Sequence, residues 1–206
     1  MAYSDFRYPE VLARLGVTLT NSPDLFAGVP PVEPGPIARA SLAAGRRLGL
    51  GAHTEYSRAV WMVGPLLNDF WDRYAGRITV IAGAEFPADP EAGLNGTIDF
   101  VIGLAPQQPR LIAPAVVIFE AKRDSIPDGL GQCIAGMVGA QRFNRREGTP
   151  IDPIHGCVTT GQNWRFLRLA GTVVTLDLQE YTLAEADKLL GILTHVVGPV
   201  PAPAAA

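Results

Sequence analysis

The chain has 206 residues, a size that favours one domain with a sizeable core. It is 48% hydrophobic and 18% charged, a globular balance, and its formal net charge of −3 weighs mildly against nucleic-acid binding, which wants a basic surface. The uncharged apolar stretches are too short for a transmembrane helix, no signal-peptide core opens the chain, and Cys133 and Cys157 are too few for a disulfide framework or a zinc site.

Those absences set the expected location as a reducing bacterial cytoplasm, with no membrane partner. Tyr8 to Leu15 predicts a short helix ending at Gly16, after which Pro23, Pro30, Pro31, Pro34 and Pro36 interrupt regular structure. Ile37 to Leu48 has helical apolar spacing and is predicted to stop at Gly49 and Gly51. The longest helical pattern runs from Thr54 to Tyr74. Thr54 can cap it, Glu55 suits its first turn, Gly76 ends it, and Pro65 is expected to kink it.

Strands are predicted over Arg77 to Ala84, over Thr97 to Gly103 after the Asn95-Gly96 turn, and over Ala115 to Lys122. Pro127-Asp128-Gly129 then opens a helix to about Arg146. Its small residues Gly131, Ala135, Gly136, Gly139 and Ala140 would let it lie close to a sheet. Gly156 to Thr160 and Trp164 to Ala170 read as strands around a turn, and Thr172 to Leu178 as another. Ala184 to Val197 reads as an amphipathic helix. The expected organisation is a helical or irregular extension over 1–52, one domain over 53–198, and a disordered Pro/Ala tail over 199–206.

The most informative stretch is Ala115-Val116-Val117-Ile118-Phe119-Glu120-Ala121-Lys122. Its apolar part reads as a buried strand, with Pro114 suited to its start. Side chains alternate along a strand, so Glu120 and Lys122 leave on one face, about 7 Å apart. Burying two charges costs several kcal/mol each unless they pair or meet an ion. Of 17 basic residues only Lys122 and Lys188 are lysines, so a chain that otherwise chooses arginine has put an ammonium directly beyond its most apolar strand. Lysine is the compact cation whose pKa shifts on burial, which suits a group that orients or deprotonates a water. A second carboxylate, Asp99, stands within the apolar strand Thr97 to Gly103, where an unpaired buried carboxylate is costly.

Together, Asp99 in Gly96-Thr97-Ile98-Asp99-Phe100, then Glu120-Ala121-Lys122, then Gln132 in the following helix resemble the PD-(D/E)xK nuclease superfamily. The segments Gly129 to Ala135 and Val158 to Leu167 resemble a largely uncharacterised bacterial branch of it, and the resemblance covers about residues 53 to 195. It implies a restriction-endonuclease-like α/β fold, a mixed central sheet flanked by helices. It also implies Mg²⁺- or Mn²⁺-dependent hydrolysis of phosphodiester bonds in DNA, with RNA as the second choice.

In that resemblance Asp99, Glu120 and the Ala121 carbonyl are metal ligands, Lys122 holds the attacking water, Gln132 orients Lys122 or that water, and Glu55 faces the metal from the first helix. Hard divalent cations take such oxygen ligands and keep several waters. Members of the branch often carry a second acid after the one corresponding to Glu55. Here Ala59 and Val60 follow, a departure from that pattern that leaves one metal or two open.

Each residue also has a plain alternative. Glu55 can be a helix-dipole carboxylate, and Gln132 can solvate a helix start. Arg123, Arg142, Arg145 and Arg146 are candidate phosphate contacts; the last three can equally be a solvated helix end. Glu85 is expected to be exposed, and Trp164 and Phe166 to be core. His53, His155 and His195 lack metal-ligand spacing, and Ile134 stands where a dinucleotide fingerprint needs its third glycine. The rival functions are a silent nuclease-like fold that binds nucleic acid or protein, and a small-molecule hydrolase with an enclosed apolar pocket. A homodimer or a partner protein would complete a double-strand cutter.

Overall fold

The computed structural model describes residues 1–52 and 54–199; all but the first residue of the expected tail lies outside them, as does His53. Among the described residues eight strands make one mixed sheet: β1 (Thr18–Ser22), β2 (Thr79–Glu85), β3 (Thr97–Gly103), β4 (Ala115–Ala121), β5 (Ile154–Thr159), β6 (Asn163–Ala170), β7 (Val173–Asp177) and β8 (Tyr181–Thr182). Their order is β1-β7-β6-β5-β4-β3-β2, with β8 paired to β6. All seven residues of β4 are buried, as in a strand covered on both faces. It runs antiparallel to β3 and parallel to β5, and the parallel step needs the crossover helix α5 (Ile126–Arg146).

Helices cover both faces. On one face α5 and the short α1 (Glu10–Leu15) enclose a core that includes Tyr3, Phe6, Val11, Ile118, Ile134 and Val158. The other face packs Met62, Leu66, Phe70, Phe119, Trp164, Phe166, Leu189 and Ile192 beneath α2 (Pro36–Ala52), α4 (Gly64–Arg73) and α6 (Ala186–Val197). The mixed sheet with flanking helices is the expected α/β class, and Trp164 and Phe166 are core. No helix among the described residues is long and apolar enough to cross a membrane.

Local rules fail where packing outweighs them. β1 carries no apolar run, and it is held by parallel pairing with β7. α2 does not stop at Gly49 and Gly51 but continues to Ala52. Gly49 and Gly45 serve as contacts there: a Cβ on Gly49 would lie 2.7 Å from Met62 Sδ, and one on Gly45 only 1.9 Å from the Trp61 carbonyl oxygen.

The same carbonyl explains the break in the next helix. Pro65 has no N–H to return to Trp61, and in place of one kinked helix the chain forms α3 (Glu55–Arg58), a π-helical turn (Ala59–Val63) and α4. The small residues of α5 meet two partners. Gly136 lies over Ile118 of β4, whereas Gly131 and Gly139 receive the N-terminal residues Phe6, Arg7 and Tyr3.

Candidate active site

α5 is pinned along β4 at both ends. At its far end the buried Asn144 side chain accepts from the Ala115 N–H (2.8 Å) and donates to the Ala115 carbonyl (2.7 Å). At its near end Gly129 sits so close that an added Cβ would lie 2.5 Å from Val158 Cγ1, 3.1 Å from Lys122 Cγ and 3.3 Å from Glu120 Cγ. The helix therefore roofs the end of β4 where the apolar run gives way to charge.

The β3–β4 ladder pairs Phe100 with Phe119. Beyond it the Asp99 carboxylate takes over from the backbone, accepting the Ala121 N–H at 2.6 Å. On the other side the Lys122 N–H donates to the Thr159 carbonyl at 2.7 Å, so the Glu120-Ala121-Lys122 backbone is held from both neighbouring strands. Lys122 Nζ lies 2.5 Å from Glu120 Oε1 and 4.0 Å from Glu55 Oε2. The Glu55 carboxylate reaches this place because Thr54 caps α3, its Oγ1 accepting the Ser57 N–H at 3.1 Å. Glu120 is 7% exposed and Lys122 15%, so this pair is desolvated, while Glu55 at 46% stands at the rim.

Protonation follows from that arrangement. Burial, with the Asp99 charge beside it, pushes Glu120 up to about 7, against the pull of the Lys122 ammonium. Burial also raises Asp99, opposed by the Ala121 N–H and Lys122. Burial alone would lower Lys122; the surrounding Glu120, Glu55 and Asp99 carboxylates outweigh it and hold the ammonium above its usual range. Three carboxylates around one ammonium leave an excess of negative charge at this spot. Glu55, Lys122, Arg123, Asp124, Ser125 and Asp128 line an open, charged depression beside it, unlike an enclosed apolar pocket.

Asp99, Glu120, Lys122 and Glu55 therefore converge. Gln132 lies one turn along α5 from Gly129, on the face that covers β4, and its side chain makes no hydrogen bond among the described residues. Arg123 is at the rim, paired with Asp124 at 2.5 Å. Arg142, Arg145 and Arg146 are not at this place: thirteen or more residues beyond Gly129, they sit roughly 20 Å away along the helix. There Arg142 pairs with Asp89 at 2.6 Å, and Arg146 donates to the Ala88 carbonyl at 2.7 Å. Glu85 is exposed and accepts from Thr97 Oγ1.

One nearby cation escaped the sequence reading. Arg58 is buried, donates to the Thr160 carbonyl at 3.3 Å and lies 4.0 Å from Asp124. Its signal was present: Arg58 is three residues after Glu55, hence on the same helical face.

Among the described residues no three His, Cys, Asp or Glu side chains form a cage that could hold a metal alone. Mg²⁺ does not require one, since it binds through one or two carboxylates and keeps water and substrate oxygens for its remaining positions. Asp99, Glu120 and the Ala121 carbonyl are hard oxygen donors of that kind. No protein-family model matches the chain, and no curated protein matches it either.

Proposed function

We propose that the chain is a metal-dependent nuclease of restriction-endonuclease-like fold, hydrolysing phosphodiester bonds in DNA. The observation that carries this reading is the convergence of Asp99, Glu120 and Glu55 on Lys122 at the open end of β4. An excess of carboxylate over ammonium at a desolvated place favours a bound cation. Asp99, Glu120 and the Ala121 carbonyl would hold Mg²⁺ or Mn²⁺, which supplies Lewis acidity toward the phosphate.

The chain's own groups perform the rest. Lys122 Nζ holds a water in line with the scissile phosphorus and offsets charge as it builds on the phosphoryl oxygens. Glu120, hydrogen-bonded to that ammonium, fixes its direction. The Ala121 N–H fixes the Asp99 carboxylate in turn. Glu55 at the rim faces the same space from α3. An open depression admits a polymer, which favours a nucleic-acid strand over a small enclosed substrate.

The test is incubation of the purified protein with end-labelled single- and double-stranded DNA and RNA in Mg²⁺, Mn²⁺ or EDTA. Cleavage of DNA that EDTA abolishes is the expected result. Absence of cleavage with every substrate and metal would move the assignment to a binding module built on the same fold.

A further inference from the structure

Arg58 is electrostatically under-compensated. Its side chain is 10% exposed, yet among the described residues its only ion pair is the 4.0 Å approach to Asp124, and its only side-chain hydrogen bond is the 3.3 Å donation to the Thr160 carbonyl. Its Nε is buried with no acceptor among the described residues. A buried guanidinium costs several kcal/mol unless it is well paired, so a protein that keeps one half-paired has a reason to place it there. Its counter-ion is exposed on the loop after β4: Asp124 is 53% exposed and also pairs with Arg123. Asp124 lines the depression that holds Lys122 and Glu55. One carboxylate thus stands between two guanidiniums at the mouth of the candidate active site.

We infer that Arg58 and Arg123 form a subsite for a phosphodiester of the nucleic-acid strand next to the scissile one, and that Asp124 is its resident stand-in, displaced when the strand binds. This rests on the nuclease reading and deepens it by naming a substrate contact. A phosphodiester offers two anionic oxygens in the geometry that guanidinium forks match, whereas Asp124 approaches Nη2 only to 4.0 Å. Thr160 holds one edge of the Arg58 guanidinium, leaving Nη2 directed at Asp124. The Arg58 stem packs near the close-fitting Gly161, where an added Cβ would lie 3.2 Å from Arg58 Cβ. The guanidinium is therefore pre-positioned and need lose little freedom on binding.

The experiment measures binding of a fluorescein-labelled DNA 30-mer, single- and double-stranded, by anisotropy across a salt series. Wild type, Arg58→Gln, Arg58→Lys and Asp124→Asn are compared, with cleavage in Mg²⁺ run in parallel. Arg58→Gln is expected to raise Kd about tenfold and reduce the salt slope by about one, while Asp124→Asn lowers Kd several-fold by removing the competing anion. Arg58→Lys should recover part of the affinity.

Asp124 is exposed, so its variant is expected to fold even if Arg58→Gln does not. A wild type that cleaves DNA while Arg58→Gln and Asp124→Asn bind within twofold of it would overturn the subsite and leave the nuclease standing. Asp124→Asn weakening binding as Arg58→Gln does would show a structural ion pair, and would also overturn it. A wild type that neither binds nor cleaves would remove both.

Discussion

At the scale of single residues, the candidate site is organised by which groups are denied water. Glu120 and Lys122 share a desolvated contact, so neither is free to behave as it would in solution. Gly129 makes that contact possible by letting α5 close over it. Gly129→Ala adds a methyl group that must displace Val158, Lys122 or Glu120, and overpacking of this kind costs about 1–3 kcal/mol. A urea midpoint lowered at unchanged slope, with cleavage reduced more than folding, is the expected outcome. Unchanged stability and rate would mean the helix has room that the geometry denies. Asp99, Glu120 and Lys122 were legible in the sequence because a charge at the end or middle of an apolar strand needs a reason. Arg58 was marked only weakly: its spacing from Glu55 puts it on the same helical face, but the Thr160 and Asp124 contacts are what single it out.

At the scale of elements, the site depends on how α5 is laid along β4. The helix was legible through Pro127 and Asp128 at its start and Arg145 and Arg146 in its last turn, which suit the helix dipole. Its anchor was not, because nothing in the sequence marks Asn144 as the group that satisfies both backbone atoms of Ala115. Asn144→Ala leaves a buried N–H and a buried carbonyl without partners, at an expected cost of about 2–4 kcal/mol. Chemical denaturation would read that loss, and a change below 0.5 kcal/mol, roughly the scale of a neutral surface substitution, would contradict the anchor. The π-helical turn before Pro65 and the continuation of α2 through its glycines were hidden for a related reason: both are settled by contact between helices, not by the residues of one.

At the scale of the whole molecule, the sheet gathers residues from distant parts of the sequence. Strands β2 to β7 were legible from β-branched and aromatic runs between turns, but β1 was not, since its edge position asks little of its side chains. Nor could the sequence say that Arg142, Arg145 and Arg146 end far from Lys122, because that follows from the length of α5.

One histidine ties global stability to pH. His155 on β5 faces Phe26, Arg168 and His195; burial, reinforced by the Arg168 and His195 charges, pushes it down to about 4. The unfolded chain binds this proton near pH 6.5 and the folded one only near 4, so stability is full above 6.5 and is lost as pH falls between them. From that difference the loss at pH 5 is about 2 kcal/mol. His155→Leu should therefore lose about 2 kcal/mol less than wild type between pH 7.5 and 5 in denaturant titrations. Parallel losses in both proteins would place the pH dependence elsewhere.

Single-turnover DNA cleavage in Mg²⁺ with wild type, Asp99→Ala and Lys122→Ala, each shown to be folded, decides whether Asp99 and Lys122 belong to one metal-dependent reaction centre. Cleavage by wild type, lost by a factor of at least about 10² in both variants, is the expected result. Cleavage that survives both substitutions would contradict it.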